Sequence, residues 1–101
     1  MSPLLPEEIA RTLPALYATE HLGIHALAQV KFFTPDAGWT WYATEFDGVD
    51  TFFGLVIGLE TELGYFSLSE LASVRGPLGL PIERDLYFTP TPLERLMEGH
   101  R

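Results

Sequence analysis

At 101 residues the chain is expected to form one domain, residues 1–101, long enough to close a single core without staples. Its 47% apolar content excludes disorder, and the absence of cysteine excludes disulfides, thiolate zinc sites and cysteine nucleophiles. A net charge of −8, with only six Lys and Arg scattered along the chain, sets the surface against phosphate backbones, so direct nucleic-acid binding is not expected.

The opening Met-Ser-Pro-Leu-Leu-Pro-Glu-Glu has neither a basic nor an apolar leader region, so no signal peptide is expected, and a cytoplasmic location fits. Pro6-Glu7-Glu8 predicts a helix start, because proline suits the first turn and acids there complement the dipole. Leu5, Ile9 and Leu13 follow at helical spacing, and Pro14 ends the helix. A short turn from Ala15 to Thr19 is expected next, stopped by Gly23. The longest stretch free of Asp, Glu, Lys and Arg, His21 to Val30, is too short to span a membrane.

Residues 26–33 read as a first strand, followed by turn chemistry at Thr34-Pro35-Asp36-Ala37-Gly38. Residues 39–46 and 51–59 are rich in aromatics and β-branched side chains and read as two further strands, joined at Asp47-Gly48 by a loop of about four residues. Glu60-Thr61-Glu62 reads as a turn and Leu63 to Phe66 as a short fourth strand. Ser67-Leu68-Ser69-Glu70 is a capping box opening a helix to Val74. Arg75 to Pro81 is a stiff glycine–proline loop, Asp85 to Thr89 a candidate edge strand, and Thr91-Pro92-Leu93-Glu94 a second capping box before a C-terminal helix ending near Gly99. The fold class expected is α+β: an antiparallel meander of four or five strands with short flanking helices.

Alternation in the third strand is imperfect. Phe53, Leu55, Ile57 and Leu59 share one face; Phe52 and Val56 share the other with Gly54 and Gly58. Both faces are apolar, so either helices cover both or one pairs with a partner, which leaves a homodimer open. The two glycines mark bulges or a close approach by backbone or a large aromatic. By the same alternation Trp39 and Trp41 fall on one face, Tyr42 and Phe46 on the other.

Long strings of the chain resemble a known family. They include Leu13 to Glu20 (Leu-Pro-Ala-Leu-Tyr-Ala-Thr-Glu), Val30 to Pro35, Trp39 to Glu45, Phe53 to Glu60, Glu62 to Leu71 and Val74 to Asp85. In these the chain is similar to the small bacterial domain-of-unknown-function family 2958. The resemblance covers about residues 4 to 93. It implies a setting on plasmids, phages and integrated elements, sometimes near antirestriction genes, and brings no activity or catalytic residue with it. Leu5 departs from the polar helix cap common in related chains.

Between Lys31 and Arg75 stand seven carboxylates (Asp36, Glu45, Asp47, Asp50, Glu60, Glu62, Glu70), interleaved with aromatics and without one Lys or Arg. Such a surface suits a basic partner, and is also what solubility alone would produce. The binding residues expected are Trp39, Trp41, Asp47, Asp50, Glu60, Glu62 and Arg75. Glu60 and Glu62, two apart, point the same way if extended, and with Glu70 or Asp50 nearby would suit a hard cation or acid–base work. Solvated turn carboxylates are the plainer reading. Glu20, His21 and His25 lack the unbroken helix of a zinc motif, and surface loop histidines explain them. Arg75 with Glu83, Arg84 and Asp85 suits an anion clamp or an ion-pair network holding the loop. No phosphate loop, dinucleotide fingerprint or serine elbow occurs, and no catalytic residue, metal site or cofactor is assigned.

The function expected is a non-catalytic acidic interaction module of a mobile element, binding a basic, nucleic-acid-handling or defence protein. The alternatives are a small metal-dependent hydrolase using Glu60 and Glu62, and a structural homodimer.

Overall fold

Aromatic and β-branched residues between Val30 and Ser67 build the meander in a computed structural model that describes residues 3–99. Strands β1 (Leu27–Ala28), β2 (Val30–Phe33), β3 (Thr40–Phe46), β4 (Thr51–Ile57), β5 (Thr61–Ser67), β6 (Glu83–Arg84) and β7 (Thr91–Pro92) alternate with helices α1 (Glu7–Ala10), α2 (Leu68–Ser73) and α3 (Leu93–Gly99). Five strands form one antiparallel sheet in the order β5-β4-β3-β2-β6; β1 and β7 pair separately. The fold is α+β.

Helices cover both faces of the sheet. One face carries Phe32, Trp41, Phe46 and Phe52, packed against Leu5 and Leu13 of the N-terminal segment and Leu68 and Leu71 of α2. The other carries Tyr42 and Leu55 under Leu93, Leu96 and Met97 of α3 and under Phe88. That covering settles the double apolar pattern of β4 and leaves Tyr42 and Leu55 packed within the chain rather than open to a second copy. Leu5 is fully buried, which explains an apolar residue where a helix cap was expected; Pro6 takes the cap position, and its carbonyl accepts from the Ile9 and Ala10 amides.

The hairpin β3–β4 carries one irregularity. Its register shifts between Ala43 and Glu45, so Thr44 is an extra residue, and the Thr44 hydroxyl donates to the Phe53 carbonyl at 3.0 Å. Phe46 therefore shares the core with Trp41, not a face with Tyr42, because strict alternation fails across a bulge. Beneath the bulge, a Cβ on Gly54 would sit 1.8 Å from the Tyr42 carbonyl oxygen. A Cβ on Gly58 would sit 2.2 Å from the Trp39 ring. Both glycines mark close approaches, one by backbone and one by an aromatic.

The first helix ends at Ala10 rather than at Pro14, and four further expected elements differ. The first strand is broken at Gln29, since Leu27 leaves the main sheet to pair with Pro92, which lacks an N–H and is restricted to such an edge position. The turn after β4 comes two residues earlier than expected: β4 ends at Ile57, which pairs with Thr61, so Glu62 lies inside β5. Residues 85–89 form no strand, because the Asp85 carboxylate accepts from the Tyr87 amide (2.9 Å) and turns the chain. Thr91 lies in β7, where its hydroxyl donates to the Thr89 carbonyl (2.8 Å); it opens no helix.

Gly54 and Gly64 face each other across β4 and β5, yet a Cβ on Gly64 meets nothing within 4 Å. Gly54→Ala should lower stability by about 1–3 kcal/mol, the usual range for overpacking. Gly64→Ala should stay within about 0.5 kcal/mol of the parent, as open surface changes do. Urea midpoints of the two variants compare them directly; equal midpoints would mean the bulge backbone yields freely.

Candidate functional site

The sheet separates the acids of the 32–74 stretch into two kinds. Four of them, Asp36, Glu45, Asp47 and Asp50, are bound by the protein itself. Asp47 Oδ1 accepts from the amides of Val49 (2.8 Å), Asp50 (2.8 Å) and Thr51 (3.0 Å), which closes the β3–β4 loop. Asp50 accepts from the hydroxyls of Ser67 (2.6 Å) and Ser69 (2.9 Å) and from the Ser69 amide (2.8 Å). Its carbonyl takes the Leu68 amide (2.8 Å), and Ser67 Oγ takes the Glu70 amide (3.2 Å). The first three amides of α2 are thereby satisfied. Ser67 caps as expected; the other carboxylate at this helix start is Asp50, which takes the Ser69 amide, rather than Glu70.

Glu45 is 3% exposed and accepts from the amides of Tyr17 and Thr19, both at 2.8 Å, and from the Thr19 hydroxyl. Asp36 Oδ2 accepts from the Leu78 amide (2.8 Å), and its buried Oδ1 lies so near Gly76 that a Cβ there would be 1.7 Å away. The stiff 75–81 loop is therefore clamped from the turn before β3.

The second kind is free. The carboxylates of Glu60, Glu62 and Glu70 are exposed, with no hydrogen bond or ion pair among the described residues. Glu60 and Glu62 line a 340 Å³ cleft with Trp39, Val56 and Leu59 at the β4–β5 turn. Trp39 is 39% exposed and stacks on Trp41, with ring centroids 5.9 Å apart. Trp41 itself is buried. Asp47 and Asp50 stand at the other end of β4, about 20 Å away for a strand of this length. Of the expected binding residues, the fold brings together Trp39, Glu60 and Glu62 and sets Asp47 and Asp50 apart from them.

Arg75 is elsewhere. Its guanidinium donates to the carbonyls of Ala72 (3.1 Å) and Val74 (2.8 Å) at the end of α2, and it lines an 820 Å³ groove with Lys31 and Arg84. The only ion pair among the described residues in that groove is Lys31–Asp85 at 3.7 Å. Glu60, Glu62 and Arg75 thus share no cavity, and the hydrolase arrangement has no geometric basis. Among the described residues no group of three His, Asp or Glu is disposed to hold a metal ion. His25 instead meets Glu94 at 3.2 Å, and Gly23 (φ 54°) breaks the short 3-10 segment Glu20–His25.

One family model matches residues 4–98, and its description is protein of unknown function (DUF2958). The chain belongs to that family. No curated protein and no solved structure matches it. In this DUF2958 member no helix among the described residues is long and apolar enough to cross a membrane.

Sequence reasoning passed over a further cluster in the DUF2958 fold. Tyr17, Glu20, Phe53 and Tyr65 gather around a 140 Å³ cavity whose floor includes Ala26 and Leu93. Phe53 and Tyr65 are cross-strand partners and meet edge to face at 5.1 Å, a pairing readable from two aligned strands. Tyr17 comes from a loop far ahead of β4 (Thr51–Ile57) in the chain, and nothing local announces it.

Hydrogen bonding also moves proton affinities. The Val49 amide is the largest cause holding the Asp47 carboxyl below its ordinary value, and the Ser67 hydroxyl the largest for Asp50. Folding favours the ionised forms, so their stabilisation is complete above the unfolded aspartate value of about 3.9. It is lost as pH falls through the lowered folded values. Urea midpoints should fall between about pH 5 and pH 2, and Asp50→Asn should flatten that fall while lowering the midpoint at neutral pH. Ser67→Ala should lower stability by about 1 kcal/mol; an unchanged midpoint would mean Asp50 alone caps α2.

Proposed function

We propose that the protein is a non-catalytic interaction module, and that the β4–β5 turn is its contact surface for a basic protein. The observation that carries this reading is the pair of free carboxylates, Glu60 and Glu62, beside a partly exposed Trp39 and a Leu59 that is 95% exposed. An aromatic anchor next to apolar surface is what binding hot spots are made of. Carboxylates at its rim would steer a cationic partner and set its register. The net charge of −8 extends that attraction beyond contact.

The family resemblance supplies the biological side of the proposal. In a mobile-element setting, the partner would be a nucleic-acid-handling or defence protein of the host, whose phosphate-binding cations Glu60 and Glu62 would occupy. Asp47 and Asp50 belong to the scaffold in this account, and Arg75 holds the end of α2.

A tagged protein recovered from its native host should bring down a basic partner, identified by mass spectrometry. Surface plasmon resonance on that pair should show association slowing with added salt. Glu60→Lys with Glu62→Lys should slow association about tenfold or more, and Trp39→Ala should mainly speed dissociation, in keeping with rim charges acting on encounter. Circular dichroism controls for folding. Association indifferent to both salt and charge reversal would falsify the acidic contact surface.

A further inference from the structure

Tyr17 is held in a conformation that packing does not explain. Its φ is +71°, in the left-handed region that bulky residues avoid, yet its side chain is 62% exposed. A buried aromatic would gain hydrophobic burial from such strain; this one gains little. The strain is imposed by Glu45, which accepts the amides of Tyr17 and Thr19 and so bends the loop toward the sheet. The result is a phenol that lines the 140 Å³ cavity together with Phe53 and Tyr65. That volume is well below the roughly 300–1,000 Å³ of pockets for drug-sized ligands, and suits one small headgroup.

We infer that this cavity is a binding site for an organic ammonium headgroup, enclosed by the rings of Tyr17, Phe53 and Tyr65 with Glu20 and Glu45 supplying the opposite charge. Aromatic faces carry negative potential and attract cations, most strongly where water is displaced. The Glu20 carboxylate is exposed beside the cavity, with no hydrogen bond or ion pair among the described residues. Glu45 lies in the wall, its oxygens occupied by the loop but its charge still felt inside. The same field acts on Tyr65. Its hydroxyl is pushed above the ordinary tyrosine range, first by a hydrogen bond with the Tyr17 hydroxyl, then by desolvation, with the charges of Glu20 and Glu45 as smaller contributions. The site is independent of the β4–β5 contact surface and shares no residue with it.

A free amine and the side chain of a methylated or plain lysine present the same chemistry. Choline is the test probe, and 3,3-dimethylbutan-1-ol, its uncharged isostere, is the control. Ring-proton signals of Tyr17, Phe53 and Tyr65 should shift saturably with choline, while the alcohol binds at least tenfold more weakly. Tyr65→Leu should weaken choline binding at least tenfold. Glu20→Gln, at an exposed position that folding does not depend on, should weaken it severalfold. Acetylated and amidated Gly-Lys-Gly peptides, plain and Nε-trimethylated, then separate the sources: either one binding as tightly as choline assigns the site to a protein side chain, and weaker binding of both assigns it to a free ammonium compound. The inference is overturned if choline produces no saturable shift, if the alcohol binds equally well, or if neither variant changes the affinity.

Discussion

The extra residue at Thr44 sets the phase of everything that follows it in β3. Before it, Trp41 and Ala43 point into the core under α2; after it, Phe46 rejoins them while Glu45 turns to the opposite face. Without the bulge Phe46 would leave the core and Glu45 would enter it, an exchange that desolvates a carboxylate without partners. With it, Glu45 meets the loop of residues 16–19 and satisfies two amides and a hydroxyl. Only glycine at position 54 leaves room for the bulged backbone. The N-terminal strap, the aromatic cavity and the main core thus share one backbone irregularity.

Acidic side chains serve here as connectors as much as surface charge. Asp47 closes a hairpin, Asp50 joins that hairpin to the start of α2, and Asp36 joins the turn before β3 to the 75–81 loop. Hydrogen bonds to ionised acceptors are stronger than neutral ones, and each of these carboxylates ties segments that would otherwise depend on loop geometry alone. In consequence the electrostatic field of the molecule is less uniform than a charge of −8 implies. The carboxylates of this stretch left without a protein partner among the described residues are those of Glu60, Glu62 and Glu70.

Much of the sheet was legible in local sequence because composition and turn residues agree there. Positions 40–46 and 51–57 are strands, Asp47-Gly48 lies in their connection, and Ser67 caps a helix. Gly54 and Gly58 were readable as close approaches, though not which neighbour approached. What stayed hidden depends on tertiary contact. Alternation could not place Phe46, since a bulge has no fixed residue signature. Asp85 to Thr89 reads as a strand by composition, but an aspartate bonding two residues ahead overrides that preference. The acids looked alike in sequence; only the fold distinguishes Asp50, bound by two serines, from Glu62, bound by nothing among the described residues. The candidate contact surface was half visible: Trp39, Glu60 and Glu62 were singled out, Leu59 and the Tyr17 cluster were not.

The strand order leaves the outer side of β5 without a neighbouring strand among the described residues. A seven-residue edge with open amides and carbonyls is a template on which another chain can grow, and natural sheets guard such edges with charge. Glu62 is the charge within this edge, and Gly64 beside it weakens the strand's own tendency to extend. Exchange of Glu62 for an apolar residue would strip that guard and invite stacking into sheets and fibres. On the proposed contact surface, the carboxylate that would meet a partner is also the one that would guard the edge against identical chains, so a single side chain would serve both recognition and resistance to aggregation.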